Sequence, residues 1–358
     1  MRIATLSNAA VVHTRRWVEH LRSRGHDVHL WSLEPGPPEL EARALPAAPL
    51  PGFLRYPLAL PALARGLRSF RPDLVDAHFV PNYGLLGALS GVRPLSVSAW
   101  GSDLLVAGRA NPAQRARARY VLRAADLVIA DAGNLAAAAR EMGAPPDRVR
   151  TIPWGIDRAR FAPAPERERG LLLSTRMHEG VYDIPTVLRG AATVMARRPG
   201  TTLVVAGAGS RTAALQREAA AILPAGRWRF TGRLEPEALA GLLARAEVYL
   251  SASRSDSTSL SLLEAMAAGA VPVVSDIEGN REWVREGEGA RLFACGDAAA
   301  LARALEAALD DPAWADAARA RNAAIVESRG DWTRNFARIE AAFESLAAGR
   351  ALPQAEAT

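Results

Sequence analysis

Short apolar runs alternate with amphipathic stretches along this chain, and the alternation breaks once, near residue 153, before it restarts. In the first part the pattern predicts a strand over Arg2–Ser7. A helix over His13–Arg24 follows, with Trp17, Val18 and Leu21 on one face. Gly25 stops it, and Asp27–Leu33 reads as the next strand. A strand, a helix and a strand within about 30 residues make a βαβ unit, which implies a parallel sheet. Glu34–Pro57 reads as a proline-dense loop and Leu58–Phe70 as a helix. Strands over Leu74–Ala77, Leu95–Ala99, Asp126–Ala130 and Val149–Ile152 then alternate with helices over Arg115–Ala124 and Asn134–Met142. The cluster Pro153-Trp154-Gly155-Ile156-Asp157, followed by a proline-rich stretch, reads as a linker. The restart predicts strands over Leu171–Thr175, Thr202–Ala206, Trp228–Thr231, Val248–Leu250, Val271–Val274 and Arg291–Phe293. The intervening helices are Ile184–Ala196, Ala213–Leu223, Pro236–Arg245 and two turns that carry Glu264 and Met266 and end at Gly269. Helices over Leu301–Leu309, Trp314–Val326 and Thr333 to about Leu346 complete the chain, and residues 347–358 carry no pattern and are expected to fray. The expectation is α/β: two doubly wound domains, residues 1–157 and 158–330, facing each other across a cleft.

Composition refines this picture. With 358 residues, half of them apolar, the chain can fill two cores. Its single cysteine, Cys295, leaves no intrachain disulfide and fits a reducing compartment. No export signal is legible at the start and no run is long enough to span a bilayer, so the protein is expected to be cytoplasmic. All 44 basic residues are arginine. Residues 1–160 hold 21 arginines against 13 acidic residues, whereas the remainder is slightly acidic. A basic first half suits an anionic partner, and the apolar-basic stretch Leu50–Leu60 suits a peripheral membrane or lipid contact. The chain lacks a basic helix or stacking aromatic cluster, so nucleic acid is not expected as a partner.

The candidate chemistry gathers at predicted strand ends. After Val248–Leu250 the loop Ser251–Ser259 leads into the helix that starts at Leu260. Ser257, Thr258, Ser259 and Leu260 therefore offer hydroxyls and N–H groups to an anion at a helix N-terminus. Asp256 and Glu264, eight residues apart, flank that site. Arg176, after the first strand of the second half, can hold a diphosphate bidentately. Gly207 belongs to a tight turn, and Gly232-Arg233-Leu234 can hold a planar base. Glu264 can accept from paired ribose hydroxyls and Asp256 from those of a sugar. Together these imply a nucleotide diphosphate carrying a hydroxylated group. In the first half Asn8 and Ala9 form a small-residue loop without the dinucleotide fingerprint. His78 and Trp100 end strands, and Asp103 is either a helix cap or a site carboxylate.

These pieces, with Pro153–Asp157, Gly207-Ala-Gly209, Phe230–Leu234, Leu263–Gly269 and the Pro272-Val-Val that follows, resemble retaining glycosyltransferases of family 4, which have the GT-B fold. The resemblance implies that Glu264 holds the ribose, Asp256 contacts the donor sugar and Arg176 holds the diphosphate. It implies a helix over 331–346 that crosses back to the first domain. No metal and no cofactor are expected, the nucleotide-diphospho-sugar being a co-substrate. Three departures stand out. Asp256 replaces a glutamate, Tyr182 a lysine and Trp100 a histidine. Either Arg254 or His178 is then expected to help neutralise the diphosphate, and Asp103 or His78 to take the catalytic role. The function implied is transfer from a nucleotide sugar, favoured as UDP-glucose or UDP-N-acetylglucosamine type, to a cell-surface glycan precursor, lipid-linked acceptor or small molecule. A phosphorylase or epimerase on the same architecture, or a non-catalytic sugar-nucleotide-binding subunit, are the alternatives.

Overall fold

The structure, a computed structural model, describes residues 1–46 and 52–353, with the side chains of 52–54 and 110 left out. The chain divides into two compact units, Met1–Ile152 with Ala337–Thr358, and Pro153–Phe336.

Among the described residues the first unit has seven strands. They are β1 (Arg2–Leu6), β2 (Asp27–Ser32), β3 (Arg43–Ala44), β4 (Leu74–His78), β5 (Leu95–Ser98), β6 (Leu127–Ala130) and β7 (Val149–Thr151). All pairs are parallel and the order is β3-β2-β1-β4-β5-β6-β7. The direction of winding therefore reverses between β1 and β4, where a doubly wound sheet opens a crevice at its carboxyl edge. The second unit repeats the plan with β8 (Leu171–Ser174), β9 (Thr202–Ala206), β10 (Trp228–Gly232), β11 (Val248–Ser251), β12 (Val271–Ser275) and β13 (Arg291–Phe293). Their order is β10-β9-β8-β11-β12-β13, again parallel, so the switch falls between β8 and β11. Side-chain alternation makes the second unit two-sided. Leu172, Leu203, Val205, Val248 and Leu250 pack on one face, and Leu171, Leu173, Val204, Ala206 and Tyr249 on the other.

Two predicted boundaries are corrected. The proline-dense segment is not one loop to Pro57. It contains the edge strand β3, and its helix starts at Gly52 and runs to Phe70 through Pro57 and Pro61. Residues 47–51 and the side chains of 52–54, part of the stretch proposed for lipid contact, lie outside the described residues. Of the rest, Tyr56 is buried, Arg55 pairs with Glu34 at 2.8 Å, and Leu58 is exposed. A helix over Leu85–Ser90 also went unpredicted.

Residues 153–157 are tied within the second unit. The Ile156 N–H donates to the Gly330 carbonyl at 2.8 Å, and the Trp332 N–H to that of Ile156 at 3.0 Å. Gly155 has a positive φ of 77°, and a Cβ there would lie 2.5 Å from the Gly330 carbonyl oxygen. Residues 337–353 rejoin the first unit, where Glu340 meets Arg24 at 3.3 Å and His26 at 3.1 Å. Of the expected frayed tail, residues 354–358 lie outside the described residues. Arg150 donates to the carbonyls of Leu352 at 3.3 Å and Pro353 at 2.6 Å. No helix among the described residues is long and apolar enough to cross a membrane.

Candidate functional site: the switch point of the second unit

Arg176 leaves the end of β8 and the loop 252–259 leaves β11, so both stand at the topological switch of the second sheet. The side chain of Arg176 is only 8% exposed. Its Nη1 donates to Ser259 Oγ at 2.7 Å and to Ser261 Oγ at 2.6 Å, and its Nη2 to Asp256 Oδ2 at 2.6 Å. The Tyr182 ring covers one face of the guanidinium, 4.3 Å from its centre. Burial disfavours the Arg176 charge, but Asp256, Tyr249 and Tyr182 together raise its pKa, so it stays protonated. Burial pushes the Asp256 carboxyl above its ordinary range, against the pull of Arg176.

The helix Leu260–Ala268 turns an apolar face inward through Leu262, Leu263, Ala265 and Met266. Ser261 and Glu264 are three residues apart and so share its other face. That places Glu264 one turn beyond the serine that touches Arg176. Ser261 also accepts from Tyr249 Oη at 2.9 Å. Nothing in the sequence pattern singled out Ser261; the only signal was this spacing from Glu264. Ser259 precedes the helix without capping it, because Arg176 takes its hydroxyl. The first-turn amides therefore keep an outlook suited to an anion. Gly269, at φ 81°, ends the helix, and the Ala270 N–H returns to the Ala265 carbonyl at 2.9 Å.

Several predicted roles change. Ser257, Thr258 and Ser259 are buried; Thr258 Oγ1 accepts from Trp283 Nε1 at 3.4 Å and Ser259 Oγ from Arg176 Nη1 at 2.7 Å. Arg254 does not stand with Arg176; its Nη2 pairs with Asp183 at 2.7 Å. His178 donates to or accepts from Thr212 Oγ1 at 2.9 Å, and burial lowers its pKa, so it is neutral at pH 7. Gly207 packs against the Arg176 backbone, where a Cβ would lie 2.6 Å from its carbonyl oxygen. The Gly232 carbonyl accepts from the Gly207 N–H at 2.8 Å, Arg233 is exposed and Leu234 is half-buried. A residue the sequence reading missed is Gly279. It lies in the turn Glu278–Arg281, directly beneath the backbone of Asp256 and Ser257. Among the described residues, no group of three or more His, Cys, Asp or Glu is placed to share a metal ion.

In the first unit, considered by itself, His78 ends β4, and Asn8, Ala9, Trp100 and Asp103 follow the carboxyl ends of its neighbours β1 and β5. Asn8 Oδ1 accepts from the Ala10 N–H at 2.9 Å, and the Ala9 N–H donates to Ser32 Oγ at 3.0 Å. His78 and Asp103, the catalytic candidates, are both buried and engaged inside the unit. His78 is buried with Nε2 2.9 Å from Asp76 Oδ2, an oxygen that also accepts from Trp17 Nε1 at 2.9 Å. Asp103 is fully buried and accepts the backbone N–H groups of Val80 at 2.9 Å, Trp100 at 3.0 Å and Leu104 at 3.1 Å. Trp100 lies among His13, His78 and Phe79, with ring centroids 5.7 to 6.5 Å away.

Burial pushes the Asp103 carboxyl up to about 6 from an ordinary 3.8, although the three backbone donors pull it down. A proton thus binds the folded state more tightly than the unfolded one. The resulting stabilisation is full below pH 3.8 and is lost as pH rises through about 6. The stability of the wild type relative to Asp103→Asn should therefore fall by about 2 kcal/mol between pH 4 and pH 7. Denaturant titrations across that range check this, and a flat difference would refute it.

With this geometry established, comparison with known proteins gives a consistent answer. The family model described as Glycosyltransferase Family 4 matches residues 10–160, and that described as Glycosyl transferases group 1 matches residues 156–326. A glycogen synthase of Mycobacterium tuberculosis is 31% identical over 268 residues, covering 69% of this chain and 62% of that protein. The phosphatidyl-myo-inositol mannosyltransferase of Mycolicibacterium smegmatis is 32% identical over 202 residues, 54% of this chain and 51% of that one. This chain thus spans between half and two thirds of the length of these curated relatives. The crystal structure of Anabaena HepE in complex with UDP-glucose superposes with a TM-score of 0.83 at 18% identity, over 97% of this chain and 100% of that one. At that identity the likeness speaks for the fold. The chain belongs to glycosyltransferase family 4, with a C-terminal half of the glycosyl transferases group 1 type and the GT-B fold.

Proposed function

We propose that the protein is a retaining glycosyltransferase that moves a sugar from a nucleotide-diphospho-sugar to an acceptor hydroxyl, without a metal or further cofactor. The observation that carries this reading is the buried Arg176 at the switch point, beside an uncapped helix N-terminus and Glu264 one turn along. A cation and oriented amides stabilise a departing diphosphate without a metal. The anomeric C–O bond breaks with oxocarbenium-like character, and the acceptor oxygen attacks from the face the diphosphate leaves. The diphosphate oxygen takes the acceptor's proton, so no side-chain base is required and configuration is retained. Glu264 accepts from the ribose hydroxyls. A UDP-sugar of glucose or N-acetylglucosamine type is the first donor to test, supported by the UDP-glucose bound to HepE; the mannosyltransferase relative makes a mannosyl donor the second. A glycan precursor or lipid-linked acceptor suits the basic first half, in the cytoplasm or at a membrane surface.

The experiment is a thermal-shift and calorimetric screen of UDP-, GDP-, ADP- and TDP-sugars, followed by transfer assays with the one that binds. Glu264→Ala should weaken that nucleotide by about ten- to a hundredfold, the worth of hydrogen bonds to a charged group. Unchanged affinity would remove Glu264 from the site. Sugar 1-phosphate release that depends on added phosphate would instead favour a phosphorylase.

A further inference from the structure

We propose that Asp256 is the resident counter-ion of Arg176 and is displaced by the donor's diphosphate, so that the contact to the donor sugar implied by the family resemblance becomes open to it only after this exchange. This rests on the donor reading above. A guanidinium has two edges for bidentate contact, and a phosphate gripped from the side takes Nε–H together with one N–H of Nη2. In Arg176 the Nε is buried and has no hydrogen-bond partner, whereas Nη2 is held by Asp256 at 2.6 Å. Both N–H groups of Nη1 are committed to Ser259 and Ser261. The side edge is thus the one left for an anion, and half of it is occupied by a carboxylate. Two anions cannot share this guanidinium cheaply, and neither Arg254 nor His178 joins it as a second cation. Tyr182 supplies a ring where the family's pattern has lysine. Arg254 is engaged by Asp183 and His178 is neutral. The side chain of Asp256, held also by the hydroxyls of Ser253 and Ser259, is the partner that has to turn away. Its backbone is pinned beneath by Gly279, but its carboxylate is 17% exposed. A free nucleotide would leave the displaced carboxylate beside new negative charge, whereas the sugar of an intact donor offers it hydroxyl donors. The exchange therefore ties diphosphate binding to the presence of the sugar.

The test is calorimetric titration of the wild type and Asp256→Asn with UDP, GDP, ADP and TDP, then with the nucleotide sugar matching the best binder. Asp256→Asn should bind the free nucleoside diphosphate about tenfold tighter, since its competitor has lost its charge. Its preference for the sugar nucleotide over the free nucleotide should shrink by a similar factor. Equal or weaker nucleotide binding by Asp256→Asn overturns the proposal. If the wild type binds none of the four nucleotides, the donor reading itself fails. Should Asp256→Asn not fold, a structure of the wild type with bound nucleotide decides. An Arg176–Asp256 separation still near 2.6 Å refutes displacement, and one beyond about 4 Å, the limit of an ion pair, supports it.

Discussion

Replacing Arg176 with alanine should abolish sugar transfer, lowering kcat/KM by about a thousandfold or more. The expected size is that of removing a preorganised donor from developing negative charge. Here one side chain also anchors three others. Its loss frees Ser259, Ser261 and the largely buried Asp256 together, and breaking a buried ion pair by removing one partner costs about 3–5 kcal/mol. Activity and stability must therefore be separated. Arg176→Lys supplies the control. It keeps the charge but cannot fork to two serines and a carboxylate at once. It should remain folded and lose about a hundredfold in kcat/KM. Parent-like transfer by a folded Arg176→Lys protein would mean the fork is not used in the reaction.

Gly279→Ala should cost nearly as much through sterics alone. A Cβ at Gly279 would lie 2.5 Å from the Asp256 carbonyl oxygen and closer still to that of Ser257. Both are backbone atoms, so the new methyl can be accommodated only by lifting the loop. The backbone of Gly279 is not left-handed, and alanine favours helical conformation by about 1 kcal/mol. A defect would thus arise against local propensity. Misplacement by about 1 Å is worth roughly a hundredfold in rate, and that is the expected loss of kcat/KM. Gly241→Ala is the matched comparison. Gly241 is exposed in the helix Pro236–Arg245, with open space where its Cβ would go, so activity should be unchanged. A Gly279→Ala enzyme as active as Gly241→Ala would show that the loop position is not critical.

Much of the architecture was legible because parallel strands buried on both faces read as short apolar runs, and all six strands of the second sheet were expected. β3 was not, since two residues on an edge carry no periodicity. The helix that runs from Gly52 through Pro57 and Pro61 was truncated because proline reads as a breaker, yet tertiary packing tolerates both. At the site, Arg176, Asp256 and Glu264 were placed by their order at strand ends. Ser261 and Gly279 were not, because each acts through a contact between segments far apart in sequence. For His78 and Asp103 the sequence could not show burial: polar residues at a strand's carboxyl end look exposed, yet His78 lies against the Asp76 carboxylate and Asp103 accepts backbone N–H groups.

The two units also differ in how they can be made. Residues 153–336 are contiguous, so the second unit is complete once the ribosome has passed them. The first is not. Its seven-stranded sheet is fully synthesised by residue 152, but Glu340, which takes up Arg24 and His26, and the carbonyls that receive Arg150 emerge only after the whole of the second unit. During translation the earlier-made half is therefore without those partners until the later-made half has been synthesised in full.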